Sequence, residues 1–430
     1  MNRNFQLTEE FALTLDASDR LHHFRERFYV PKEGIYMDGN SLGLLSKDAE
    51  ASLLRVLDEF KNMGINGWME GKPAWFTLSE ELGKKLTTLV GAKENEVIVT
   101  ASATINLHNL VATFFKPTGS KNKILIDELN FPSDKYAMES QLLLHNLNPK
   151  EHLVIVKSRD GRTILKEDVV AAMTNEVSLV LLPSVLYRSG QLMDIEYLTK
   201  EAHKRGIIIG FDCCHSVGAV PHKFSEWGVD FASWCNYKYL NNGPGGSGAL
   251  YVNEKHFDKM PGLCGWWGYD KSTQFDMNLD FAPAKGVGAW QISTANIFST
   301  APLEGSLNIF MEAGIENIRE KSLHQTDYMM YLIDNMISGE PYNFTIGNPR
   351  EAEQRGGHVA LEHQTDAVRI NEALKKRGVI PDFRYPNVMR LAPIALYTSY
   401  QDIWNVVQHL KEIMDNREYE NFDSKRGTVA

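Results

Sequence analysis

Between about residues 97 and 252, short runs of Val, Ile and Leu alternate with stretches whose apolar residues recur at helical spacing. The runs predict strands over 96–100, 123–127, 152–157, 178–185, 206–212, 231–237 and 249–252. Between them, 134–145, 166–174 and 195–205 predict helices. Strands that are apolar throughout, rather than at alternate positions, are buried on both faces. The pattern therefore predicts an α/β fold with a mostly parallel seven-stranded sheet covered by helices.

After about residue 304 the rhythm lengthens. Helices are expected over 303–320 and 322–337, a strand over 358–363, a helix over 365–377, a strand over 388–391 and a last helix over 399–414. This reads as a smaller α/β domain. An opening helix over about 47–61 is expected to pack with it or against a partner subunit, and the charged tail from Asn416 to be exposed. The division expected is an N-terminal segment (1–60) packing with the small domain, a large domain (61–303) and the small domain (304–430). No internal repeat or low-complexity tract interrupts it.

The chain has 430 residues, too many for one compact core, which supports two domains. Its net charge of −10 offers no basic face for nucleic acid. The N-terminal stretch MNRNFQLTEEFALTLDASDR has no apolar core of a secretory signal, and no apolar run is long enough to span a bilayer. A cytoplasmic protein is expected. Cys213, Cys214, Cys235 and Cys264 form no C-x-x-C pair, so they read as reduced, mostly buried small hydrophobes rather than a disulfide framework or a zinc site.

Ligands of parallel sheets bind beyond the carboxyl ends of the strands, and polar residues cluster at three such places. Asp212-Cys213-Cys214-His215 could ligate a metal or a cofactor; alone, Asp212 reads better as a helix N-cap. Lys238, between Tyr237 and Tyr239 at the end of an apolar strand, is a candidate desolvated amine. Burial disfavours the ammonium, lowers the pKa and frees the nucleophile that an imine requires. A lone lysine there reads better as snorkelling over its aromatic neighbours. In Phe131-Pro132-Ser133-Asp134 the aromatic could stack on a flat ring, or the segment could be an ordinary turn into a helix.

Together the three outweigh their separate readings. A pyridoxal-phosphate site needs a lysine, an acid for the pyridine nitrogen, an aromatic face and donors for a phosphate. Asp212 precedes Lys238 by 26 residues, one strand further along, the order found in the aspartate-aminotransferase-like superfamily. The stretch Gly243-Pro244-Gly245-Gly246-Ser247-Gly248 formally fits a dinucleotide-binding G-x-G-x-x-G, but it contains proline and runs into a strand instead of opening a helix, so it reads as a turn.

Across nearly its whole length the chain resembles the kynureninases. The stretches that carry the resemblance are MDGNSLGL (37–44), FPSD (131–134), LLPSVLYRSGQ (181–191), FDCCHSVGAVPH (211–222), WCNYKYLNNGPGG (234–246), LCGWWGY (263–269) and MRLAPIALYTS (389–399). It implies the aspartate-aminotransferase-like fold (type I) and hydrolysis of the Cβ–Cγ bond of L-kynurenine, with 3-hydroxykynurenine as a related substrate. The products would be anthranilate, or 3-hydroxyanthranilate, and L-alanine, in tryptophan catabolism.

The resemblance also implies the roles of single residues. Lys238 would hold pyridoxal 5′-phosphate and later move the substrate's Cα proton, with Tyr237 as a proton donor. Asp212 would pair with the pyridinium nitrogen, supported by Asp134, while Phe131 stacks on the ring within the Phe131-Pro132-Ser133-Asp134 segment. Ala103 and Thr104, opening a helix, would hold the phosphate together with Tyr237 and Trp266. Ser184 and His215 would line the ring and its O3′ side, and Arg390 would clamp the substrate carboxylate. Trp266 and Thr294 would come from the neighbouring subunit, so a homodimer with shared active sites is implied.

The chain departs from the family pattern in places. Ala103 stands where bacterial members often have Thr, and no proline follows Thr294. Trp68 and Thr294 stand where the eukaryotic pattern has His and Asn, which favours the unhydroxylated substrate. The competing readings are a cysteine desulfurase, with Cys264 as nucleophile, an aminotransferase of the same fold, a metal-dependent hydrolase using Asp212 and His215, and a cofactor-free binding module.

Overall fold

A computed structural model describes residues 4–425. Its large sheet has seven strands in the spatial order Val97–Val99, Gly248–Val252, Phe231–Cys235, Ile208–Asp212, Val177–Pro183, Lys123–Asp127 and Leu153–Val156. The last five run parallel; Gly248–Val252 is antiparallel to both of its neighbours. All seven expected strands are present and the fold class is as expected. Their uninterrupted apolar character has a simple cause. Leu125, Val180, Ile209, Phe211, Ala232 and Trp234 pack into a core on one face. Ile124, Ile126, Leu179, Leu181 and Phe231 pack into a second on the other. Each such side chain, fully buried, contributes about 1.5–3 kcal/mol.

A four-stranded antiparallel sheet, in the order Asp382–Arg384, Val388–Leu391, Val359–Glu362 and Thr345–Ile346, builds the smaller unit. Its core draws on helices Ile315–Met336, Ala367–Lys376 and Tyr400–Asp415, and also on Ala12 and Met37 near the start of the chain. A helix over Glu9–Ser18, absent from the sequence expectation, lies here. Both carboxylate oxygens of Asp16 accept backbone N–H bonds from Tyr400 and Gln401, tying that helix to the start of Tyr400–Asp415. The helix Lys47–Met63, by contrast, packs along Ile297–Ala313, with Val56 in the core of the large sheet.

The long helices differ from expectation in phase. They span Ile297–Ala313 and Ile315–Met336, not 303–320 and 322–337. The first begins before Pro302 and passes through it, and ends at Gly314, whose φ of +76° suits glycine. Ile309, Phe310, Ala313 and Ile318 stay with the large sheet's core, and Tyr328 is the first residue of this pair to join the smaller one. Of the tail expected to be exposed, Glu418, Tyr419 and Phe422 are half-buried, with Glu418 paired to Arg377; residues 426–430 lie outside the described residues. No helix among the described residues is long and apolar enough to cross a membrane.

Candidate active site

A cavity of about 220 Å³ opens at the carboxyl ends of the parallel strands. Two neighbouring strands deliver its central residues. Asp212 ends Ile208–Asp212 and lies opposite Ser233 of Phe231–Cys235, so the turns that follow carry His215 and Lys238 into the same space. Lys238 Nζ stands 3.1 Å from His215 Nε2. Burial, then the positive charges of Lys238 and Arg390, holds the His215 imidazole neutral, well below its usual pKa. Its Nε2 is thus the acceptor of that hydrogen bond.

The lysine itself behaves differently from the sequence expectation. Burial does push its pKa down, but the negative charge that Cys235, Cys214, Tyr237 and Asp212 can carry outweighs this, and the net shift is upward. The amine is held as an ammonium, with a neutral histidine beside it as hydrogen-bond acceptor. Asp134, 5% exposed, has its carboxyl raised well above the ordinary range, first by burial and then by the charge of Asp212, to which it is hydrogen-bonded. Two carboxyl groups so close share one proton. Asp134 keeps its proton, and the neighbouring Asp212 Oδ1 accepts the Cys214 N–H at 2.8 Å. Asp134 Oδ2 is buried without a partner in the chain.

Two helices start at the cavity. Ala103–Phe114 begins with no side-chain cap on its first turn, so its backbone N–H groups are free to meet an anion. Pro132–Leu144 begins beside it, and the hydroxyls of Thr104 and Ser133 bond at 2.8 Å between the two. Phe131 lines the cavity and meets Tyr187 edge-on at 5.4 Å.

The smaller sheet supplies the cations. Arg390, 1% exposed, sits opposite Asp382 on the next strand and is ion-paired with it. It also donates to the Tyr187 carbonyl oxygen at 2.8 Å and to Ser41 Oγ at 3.0 Å, and Asn40 turns its amide oxygen to it at 3.3 Å. Arg384 lines the cavity and shares Asp382.

Of the residues expected from sequence, Lys238, Tyr237, Asp212, His215, Asp134, Ser133, Phe131, Thr104, Ala103 and Arg390 line this one cavity. Others do not. Pro132 forms the first turn of its helix outside the cavity wall. Ser184 lies behind it, fully buried, bonding Ser216 Oγ at 2.7 Å and the Asp212 carbonyl oxygen at 3.1 Å. Trp266, 39% exposed, and Thr294, also exposed, are on the surface. Trp68 packs against Trp75 and Trp267 away from the cavity. Sequence reasoning gave no role to Asn40, Ser41, Tyr187 or Arg384. The signal for the first three was available: polar residues inside two of the quoted motifs, with no strand or helix to explain them. Among the described residues no three His, Cys, Asp or Glu side chains converge as metal ligands, so Asp212 and His215 have no third.

Residues 318–410 match the family model described as the kynureninase C-terminal domain. The chain is 58% identical to a kynureninase of Geobacillus thermodenitrificans (strain NG80-2), over 98% of each chain. It is also 58% identical to one of Bacillus mycoides (strain KBAB4), over 99% of each. Among solved structures it is similar to a cysteine desulfurase from Thermococcus onnurineus NA1 (TM-score 0.76, 18% identity, 92% of this chain and 98% of that one). It is equally similar to a C-DES mutant with glycine covalently linked to its PLP cofactor (TM-score 0.78, 15% identity, 90% and 99%). These structural likenesses establish the aspartate-aminotransferase-like fold and nothing finer. The sequence likeness goes further, and the chain belongs to the kynureninase family.

Proposed function

We propose that the chain binds pyridoxal 5′-phosphate in this cavity and hydrolyses the Cβ–Cγ bond of L-kynurenine to anthranilate and L-alanine. The observation that carries the reading is the convergence of Lys238, the Asp212–Asp134 pair and Arg390 on one cavity, in a chain 58% identical to a kynureninase over 98% of its length. The residues fit the cofactor. The orphaned Asp134 Oδ2 and the Asp212 carboxylate suit a protonated ring nitrogen. The uncapped helix start with the Thr104 and Ser133 hydroxyls suits a phosphate, and the Lys238 amine suits an aldehyde. When bound, pyridoxal phosphate draws off the electron pair left at the substrate's Cα.

The chain's own residues do the rest. Arg390, its plane fixed by Asp382, Tyr187 and Ser41, holds the substrate carboxylate. Freed as a neutral amine when the substrate takes its place on the cofactor, Lys238 would take the Cα proton and return to the ammonium form that its surroundings favour, donating to His215 Nε2. Asp134 keeps its proton, and Asp212 beside it would face the ring nitrogen. The Tyr237 phenol is held protonated by the neighbouring Cys235 and by burial, which makes it a proton donor when the bond breaks. Water adds at the substrate's γ-carbonyl and ends in the carboxyl group of anthranilate. Phe131, in the cavity wall, would cover the ring.

The protein acts as a homodimer, with Trp266 and Thr294 completing the partner's site. Supporting this, Leu54, Leu57 and Phe60 of one helix are each more than half exposed, as are Phe275 and Leu279 near Trp266. We place the enzyme in the cytoplasm, in tryptophan catabolism.

Borohydride reduction of the loaded protein followed by mass spectrometry should find the cofactor on Lys238. Incubation with kynurenine should give anthranilate fluorescence, and incubation with cysteine no sulfide. A cofactor on another residue, or sulfide in place of anthranilate, rejects the reading.

A further inference from the structure

The four cysteines divide by their surroundings. Cys213 is wholly buried and faces the core, its thiol pushed up to about 12 by burial. Cys264 is exposed on a loop. Cys214 and Cys235 form a pair. Cys235 ends Phe231–Cys235, and Cys214 lies two residues beyond the end of Ile208–Asp212, the neighbouring parallel strand in which Asp212 is set beside Ser233. Cys214 Sγ accepts the Cys235 N–H at 3.2 Å, and the two thiols are hydrogen-bonded to each other. Cys214 lines the cavity alongside Lys238, while Cys235, 4% exposed, sits behind it.

We propose that Cys214 and Cys235 are an oxidation site: a hydroperoxide entering the cofactor-free cavity closes them into a disulfide that blocks cofactor uptake. This rests on the cofactor reading given above. The Cys214 sulfur takes one oxygen from peroxide, the O–O bond breaks, and the thiol proton leaves with the other oxygen as water. The Cys235 sulfur then attacks the sulfenic sulfur, the S–O bond breaks, and a second water leaves with the Cys235 proton. Two thiols are oxidised and one peroxide is reduced to two waters. Cys235 suits the second role. Burial raises its thiol, but the Cys214 hydrogen bond and the nearby Lys238 charge outweigh this and bring it to about 7; the same hydrogen bond and burial hold the Cys214 thiol well above its ordinary range, so Cys214 meets the peroxide by its place in the cavity wall. A bound cofactor shields Cys214, because both occupy one cavity.

The test gives hydrogen peroxide to cofactor-free and cofactor-loaded protein, followed by alkylation and peptide mass spectrometry. The cofactor-free protein should yield a cross-linked peptide joining Cys214 to Cys235, lighter by two hydrogens than its parts, and the loaded protein far less. Added pyridoxal phosphate should give no bound-cofactor absorbance with the oxidised protein until a dithiol is supplied. Cys264→Ser should leave all of this unchanged, whereas Cys235→Ser should leave Cys214 oxidised without a cross-link. The proposal is overturned if Cys214 and Cys235 emerge separately alkylated, if the loaded protein cross-links equally, or if cross-linked protein still takes up cofactor. A reduced protein that binds no pyridoxal phosphate rejects the functional reading instead, while the peptide masses still report on the thiols.

Discussion

Replacing Arg390 by lysine keeps a charge and removes a planar fork. The guanidinium meets Asp382, the Tyr187 carbonyl and Ser41 together, and an ammonium cannot reach all three while holding a carboxylate. At about 1.5–3 kcal/mol for a hydrogen bond to a charged group, Arg390→Lys should raise KM on the order of 10- to 100-fold in steady-state assays, with a smaller change in kcat. Asp38 gives a second test. Its carboxyl is raised to about 6 from the 3.8 of an unfolded chain, by burial first and Asp382 next. Between those values the folded protein binds the extra proton, so the share of stability due to Asp38 falls as pH rises through that window. Asp38→Asn should flatten this part of the denaturant-midpoint profile; an unchanged slope assigns it to another group. At this scale the identities of the site residues were legible, because each ends a strand or sits in a recognisable motif. The protonation of Lys238 was not. Cys214 and Asp212, part of what sets it, come from the neighbouring strand, and no local pattern around Lys238 announces them.

The packing of helix Lys47–Met63 on Ile297–Ala313 turns on Gly305. A Cβ there would stand 2.1 Å from the Asp48 carbonyl oxygen, which is backbone and cannot step aside. Gly305→Ala should therefore push the two helices apart and cost about 1–3 kcal/mol, read as a lower denaturant midpoint. A neutral result would mean that the crossing has slack. The strands were legible because both of their faces are buried and periodicity is not needed to see them. The helix phase was not. Pro302 reads as a stop, yet the helix runs through it and forgoes the N–H bond to the Phe298 carbonyl, while Gly314, which does end the helix, looks like any other glycine in sequence. Helix Leu78–Val90 has Leu78, Leu82, Leu86 and Leu89 at plain helical spacing; it lay outside the strand-rich stretch that organised the sequence reading.

For the whole molecule, the homodimer proposed above, with the exposed apolar face of Lys47–Met63 in its interface, predicts that Phe60→Glu shifts the protein towards a monomer in sedimentation and lowers activity with it. A variant that stays dimeric points to another interface. The cavity itself joins distant parts of the chain. Asn40 and Ser41 meet Arg390 across a separation of 349 residues for the Ser41 contact, while Gly43 donates to the Tyr237 carbonyl oxygen at 2.8 Å beside the lysine. No glycine substitute fits there, since a Cβ on Gly43 would lie 2.4 Å from the Lys238 carbonyl oxygen. A chain still being synthesised thus has its sheet, its lysine and its acids long before it has a finished site. Until strand Val388–Leu391 emerges and receives the opening loop, a growing polypeptide carries its reactive groups without the buried guanidinium that shares their cavity.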